Sequence, residues 1–251
     1  MRFKVALTEV TALADSTLEV ILLPGWNHAY YLVPNTQDNR AMIELLEGYR
    51  KFRTEAFPQM RDQFQLLADR QSPDAIVITC ADSRVVPNLI LQAAPGDLFL
   101  CRNAGNVIPP DGQLAGGVSA TIEYAVEVLK VKHAIVLGHS DCGAVKAALR
   151  PENLDNLPCT RQWLRFVEAA WDYMGDNIPE DESARHTALI RANVLAQLNH
   201  LKTHPEIASG LERCTLQVHG WYYDIVTGCV EAWDEHESRF IPLEQVAVSR
   251  I

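Results

Sequence analysis

Two short clusters hold the residues of this chain best suited to bind a metal: Cys80-Ala81-Asp82-Ser83-Arg84 and Gly138-His139-Ser140-Asp141-Cys142-Gly143. Two thiolates and an imidazole, with a carboxylate at hand as a fourth donor, match what a tetrahedral Zn²⁺ accepts. His139 and Cys142 stand in H-x-x-C spacing, which can chelate one ion, whereas a lone cysteine is ordinarily packing. Two kinds of site are open to this ligand set. In a closed structural site Asp82 completes a Cys₂-His-Asp tetrahedron. In an open site the Arg84 guanidinium holds Asp82 in a bidentate pair, turned away, and water takes the fourth position. A structural site has no use for such an arginine, so its presence favours the catalytic form. Zinc-bound water ionises far below its ordinary pKa. Two thiolates leave the ion less electrophilic than three imidazoles would, so ionisation here is expected at somewhat higher pH. An ionised Asp82 would accept a hydrogen bond from the resulting hydroxide and aim it.

The elements that must bring the clusters together are readable. Residues 75–79 form a continuous apolar, β-branched run, the pattern of a central parallel strand, and 134–137 form another. Cys80 and His139 then fall at carboxyl ends of strands, where open α/β sheets collect their chemistry. Cys142 falls at the start of the next helix, whose positive end favours a thiolate. Between the clusters the pattern predicts a helix at 87–92, a strand at 98–101, a loop over 102–117 and a helix over 118–129. Upstream, Asp38 is expected to cap a helix carrying Met42, Leu45, Leu46, Tyr49 and Phe52. A second helix from Pro58 is expected to bury Phe64, Leu66 and Leu67. Downstream, a linker at 155–158 precedes helices at 163–174 and 184–202. Short runs at 216–219, 222–226 and 229–233, set off by Gly220-Trp221 and Thr227-Gly228, fit antiparallel edge strands. The expected class is α/β: a mostly parallel central sheet flanked by helices, with an N-terminal helical arm and antiparallel C-terminal edge strands. Residues 38–251 read as a single domain. Residues 1–37, with a strand at 18–23 and a turn at Pro24-Gly25-Trp26, read as an arm that packs on a neighbour or stays mobile, with a small added domain as the alternative.

Bulk properties narrow the partners. A net charge of −10 with a pI near 5.2 argues against nucleic acid and against an anionic membrane surface. No apolar run approaches the ~20 residues a spanning helix needs, and Glu9, Asp15 and Glu19 interrupt any signal-peptide core. A soluble cytoplasmic protein is expected. The six cysteines, at 80, 101, 142, 159, 214 and 229, are spaced too widely for a disulfide framework and suit metal binding in a reducing compartment. Cys101, Cys159, Cys214 and Cys229 read as inert thiols. Glu180-Asp181-Glu182 and residues 234–237 read as solvated charge, and His219 and Trp221 as structural.

Taken together, C-x-D-S-R at 80–84, R-N-x-x-N at 102–106, E-Y-A at 123–125 and G-H-x-x-C-G at 138–143 resemble a β-class carbonic anhydrase in order and spacing. The likeness runs over roughly 38–235, and V-H-G-W-Y-Y-D-I at 218–225 resembles bacterial and carboxysomal members. The resemblance implies reversible hydration of CO₂ to bicarbonate and a proton, by attack of zinc-bound hydroxide. It implies Cys80, His139 and Cys142 as Zn²⁺ ligands and Asp82 with Arg84 as the catalytic dyad. It further implies Gln71 as an amide to substrate oxygen, Phe99 and Tyr124 as an aromatic wall, and Gly143 on the substrate side. Gln71, Phe99 and Tyr124 are then expected from the partner subunit, which makes a homodimer, with a higher oligomer as an extension, necessary for activity. Without the resemblance these three read as structural. Val77 stands where a self-inhibited branch carries tryptophan, so an open, plant-like site is expected. Ala104 stands where plant-like members have valine, which leaves a slightly roomier pocket. The rivals are a hydrolase of carbonyl sulfide or carbon disulfide on the same scaffold, and a non-catalytic zinc scaffold. Loss of Asp82 or Arg84 would mark the latter, and both are present. A carboxysome-like compartment is the alternative to the open cytoplasm. No histidine outside the ligand cluster is placed near the site by sequence, and the proton route is not readable.

Overall fold

The structure, a computed structural model, describes residues 18–20, 32–34, 37–114, 116–175 and 178–246. The chain divides into two compact units, Met1–Leu66 and Leu67–Ile251. In the first, β1 (Leu18–Val20) pairs antiparallel with β2 (Leu32–Pro34). Helix α1 (Gln37–Lys51) runs through one π-helical turn, Phe52–Ala56, into α2 (Phe57–Leu67). Helix α1 starts one residue ahead of the expected cap, Asp38, and so takes Asp38 into the helix. The apolar spacing on these helices does not mean burial. Leu45 is 68% exposed and Leu66, expected inside, is 79% exposed. A helical period defines a face but not what covers it. The expected turn at 24–26 and most of the 1–37 extension lie outside the described residues.

The second unit is built on a six-stranded sheet. In chain order its elements are β3 (Ala75–Cys80), α3 (Pro87–Ile90), β4 (Leu98–Asn103), α4 (Gly117–Glu123, then a π turn Tyr124–Val128) and β5 (His133–His139). There follow α5 (Gly143–Ala148), α6 (Pro158–Leu164, then 3₁₀ turns Arg165–Tyr173), α7 (Glu182–Lys202) and α8 (Pro205–Glu212). The last strands are β6 (Gln217–Tyr223), β7 (Val230–Asp234) and β8 (Arg239–Pro242). The sheet order is β4-β3-β5-β6-β7-β8; the first four strands are parallel and the last two antiparallel. Register does the positioning. Thr79 lies level with Leu137, so Cys80 sits beside Gly138, and His139 is one step beyond it.

Helices α4, α7 and α8 cover one face, closing Ile76, Ile78 and Val136 against Ile122, Val194, Leu198, Leu201 and Ile207. The smaller opposite cluster joins Val77, Ile135 and Leu137 to Val85. One expectation fails here. Gly220-Trp221 does not interrupt a strand; β6 is continuous and lies parallel within the sheet. The glycine serves close approach instead, since a Cβ on Gly220 would lie 2.6 Å from Leu198 Cδ1. Gly138 does the same on β5, where a Cβ would lie 2.6 Å from Val194 Cγ2. The two glycines let α7 settle onto the strands beside the ligand loop. Helix α8 and strand β8 were not expected from the sequence. Among the described residues no helix is long and apolar enough to cross a membrane.

Candidate metal centre

Three elements deliver the ligand set. Strand β3 ends on Cys80, β5 ends on His139, and Cys142 is the residue that precedes the first turn of α5. All three are buried, and one donor atom from each lies within 4.8 Å of the others. The two sulfurs are 3.9 Å apart. Two thiolates at ~2.3 Å from one ion and at the tetrahedral angle would stand about 3.8 Å apart, so the pair is already at zinc spacing. His139 Nδ1 donates to Ser140 O at 2.9 Å, which leaves Nε2 as the lone-pair nitrogen. That Nε2 is buried and lacks a hydrogen-bond partner among the described residues. An unsatisfied buried acceptor costs about 1–3 kcal/mol, and a cation between the sulfurs would remove that cost. The donor set fits a zinc ion.

The surroundings favour thiolates. Gly105 N–H donates to Cys80 Sγ at 3.4 Å. The Cys142 thiol, His139 and the backbone of Gly105 and Asp82 push Cys80 down to about 4 against the effect of burial, the Cys142 contact being the largest cause. Cys142 keeps the shared proton and moves up, through that same contact and its burial. A bound cation would displace this proton.

Asp82 and Arg84 form a bidentate ion pair. Arg84 donates from Nε to Asp82 Oδ1 at 3.0 Å and from Nη2 to Oδ2 at 2.8 Å, while its backbone N–H donates to Oδ1 at 2.9 Å. The guanidinium hydrogen bond holds the Asp82 carboxyl well below the usual carboxylate range. Asp82 Oδ2 is nevertheless only 3.9 Å from His139 Nε2. The carboxylate is therefore near the metal position but tied to the arginine. Arg102 fixes the backbone beneath, donating to Cys80 O at 3.1 Å and to Asp82 O at 2.8 Å.

Several supporting residues escaped the sequence reading. His186 Nε2 donates to Cys142 O at 3.1 Å; it is 8% exposed, and burial lowers its pKa. This is a histidine beside the site that the sequence could not place, because nothing in the spacing from Cys142 to α7 announces it. Farther along α7, Asn193 donates to Gly105 O and Gln197 accepts from Ile108 N. His200 donates to Ile108 O and His204 to Pro109 O. This row pins the loop that carries the Gly105 N–H. Asp181, read as solvated charge, caps α7 by accepting from Ala184 N at 2.8 Å. Asp141 was legible in position, between two ligands, but not in role.

The remaining candidates lie elsewhere on the sheet. Phe99 is level with Ile76, four residues before Cys80, which is about 13 Å along the strand. Tyr124 is exposed, its ring centroid 6.0 Å from that of Phe99. Gln71 is exposed and precedes β3. Gly143 opens α5 next to Cys142. Cys101 is buried, and burial pushes its thiol up to about 11.

The Cys80, His139 and Cys142 trio is a buried group that could hold a metal ion, with the Asp82 carboxylate held aside by Arg84. The carbonic anhydrase family model matches residues 75–230. A carbonic anhydrase of Pseudomonas aeruginosa is 46% identical over 204 residues, 81% of this chain and 93% of that protein. The solved β-carbonic anhydrase CcaA superposes with a TM-score of 0.78 at 42% identity, covering 81% of this chain and 92% of that one. A tetrameric β-carbonic anhydrase of Sordaria macrospora gives 0.68 at 30% identity, covering 77% and 96%. The chain belongs to the β-carbonic anhydrases, enzymes that interconvert carbon dioxide and bicarbonate.

Proposed function

We propose that this carbonic anhydrase is a zinc enzyme with an open, plant-like site, active as a homodimer whose subunits complete one another's substrate pocket. The observation that supports the open site most directly is the bidentate Arg84–Asp82 pair, formed although the Asp82 carboxylate stands 3.9 Å from the ligand imidazole. When bound, the metal supplies a water that ionises close to neutral pH. Cys80, His139 and Cys142 would hold the metal, with two thiolates tempering its charge. Arg84 keeps Asp82 ionised and turned, so that Asp82 would accept a hydrogen bond from the O–H of the attacking oxygen and orient it instead of occupying its place. Gln71 would offer its amide to a CO₂ oxygen, Phe99 and Tyr124 would wall the pocket, and Gly143 would lie at its floor beside Cys142.

The distance of Phe99 from its own Cys80 supports the dimer, because a wall about 13 Å along the strand cannot serve the site of its own chain. The exposed apolar faces of α1 and of Tyr124 agree with this reading. A further pairing of dimers, as in the tetrameric Sordaria relative, extends it. Free cysteines and an acidic surface suit the cytoplasm, or a carboxysome-like compartment within it.

The test is stopped-flow CO₂ hydration on protein of measured zinc content. Turnover far above background that is lost on chelation and returns with zinc is expected. Background turnover with one zinc per chain would overturn the assignment and hand the scaffold to carbonyl sulfide or carbon disulfide hydrolysis.

A further inference from the structure

Arg84 serves a second carboxylate. Its Nε and Nη2 face Asp82, which leaves Nη1 to donate to Asp141 Oδ2 at 3.3 Å; Nη2 also donates to Asp141 O at 3.2 Å. The two acids occupy different edges of the guanidinium fork, so they are satisfied together and do not compete. The Arg84 side chain is 45% exposed and that of Asp82 17% exposed. Water would therefore contest the arginine's free edge if nothing else held it. The anchor on that edge belongs to the ligand loop itself. Asp141 sits in the left-handed region at φ +54, between His139 and Cys142. The same loop is tied down by Ser140 N donating to Tyr223 O at 2.9 Å and by Ile225 N donating to Ser140 Oγ at 2.9 Å. Dyad and ligand loop are thus locked into one another.

We propose that Asp141 is a positioning residue, which fixes the Arg84 guanidinium and so decides how firmly Asp82 is kept away from the metal. This rests on the reading above that Asp82 is the ligand held in reserve. Other charges meet at this corner. His139 lies beside Asp82, Arg102 grips the backbone of Cys80 and Asp82, and His186, Lys146 and Glu182 approach from α5 and α7. Only Asp141 joins Asp82 in accepting from the Arg84 side chain among the described residues.

The test uses Asp141→Asn and Asp141→Gly, both of which tolerate a positive φ and keep the turn and its carbonyl. In metal-free protein, the Arg84 Nε–H should exchange with solvent about two- to fivefold faster than in the parent, as expected for loss of a partly exposed ion pair. In cobalt-substituted protein at one fixed pH, the visible spectrum should move towards the carboxylate-bound form. In zinc protein kcat/KM should fall by a similar factor at unchanged metal content. Glycine should exceed asparagine in each. An unchanged exchange rate and spectrum in both variants would overturn the proposal, as would loss of metal from both, which would make Asp141 a part of the loop's folding alone. An inert parent would bring down the reading of Asp82 and this proposal together; an active parent with unaltered variants sinks only the role of Asp141.

Discussion

Imidazoles stand at both ends of one sheet, half-buried at one and fully buried at the other, and they are treated in opposite ways. At the amino-terminal end, His133 and His219 hydrogen-bond to each other, Nδ1 to Nε2, at 3.1 Å, with ring centroids 5.3 Å apart. At the carboxyl-terminal end, His139 has one nitrogen committed to Ser140 O and the other aimed at two sulfurs with no partner. The first arrangement is closed on itself. The second is an incomplete polyhedron that a cation would finish. Burial alone does not separate a structural histidine from a ligand, since His204 is also buried and donates to Pro109 O; the missing partner does.

The sharpest way to break this contrast is at the incomplete end. Cys80→Ser should strip the metal, measured by elemental analysis, and lower CO₂ hydration by about a thousandfold or more. A variant that kept one metal per chain would mean that the trio is not the site. Asp82→Ala comes next. It should retain zinc yet lose roughly a hundredfold in kcat, the range of a lost general acid–base or orienting group. Parent-like turnover would disprove the dyad. The closed end should respond in stability instead. Burial, with the charge of His133, lowers His219 from 6.5 to about 4. Between those values the unfolded chain binds more protons than the folded one, so stability rises with pH across the window and is lost as pH falls from 6.5 towards 4. The effect is at most about 3 kcal/mol. His219→Gln should flatten that slope in urea unfolding at several pH values and leave turnover within about twofold. A slope as steep as the parent's would show that His219 is not the titrating group.

The contrast also explains what could be read in advance. Strands β3 and β5 are built around apolar runs at 75–78 and 134–137, so their carboxyl ends, and with them Cys80 and His139, were legible from pattern alone. Strand β6 was not. Gly220 carries a turn-like composition, and only the approach of Leu198 shows that the space of a side chain is needed there. The apolar stripe on α1 was seen, but sequence period cannot say whether a helix face meets its own chain. His186 and the row from Asn193 to His204 were beyond reach because their targets are backbone carbonyls and amides far away in the chain, which leave no mark on residue spacing.

That row carries a consequence for how the protein tolerates change. Asn193, Gln197, His200 and His204 follow one another at four, three and four residues, a single side of α7 and its exit. Inserting one residue between Asn193 and His204 would rotate everything beyond it by about 100° and translate it by about 1.5 Å. The loop bearing Gly105 would then lose every mooring beyond the insertion, and Cys80 would lose the rigidity of its N–H donor. Insertions in the largely exposed stretch 178–180, just ahead of α7, meet no such phase requirement. The chemistry at the strand ends is therefore indexed to the integer length of a helix that donates no ligand, and single-residue changes of length within α7 should inactivate where equal changes in 178–180 do not.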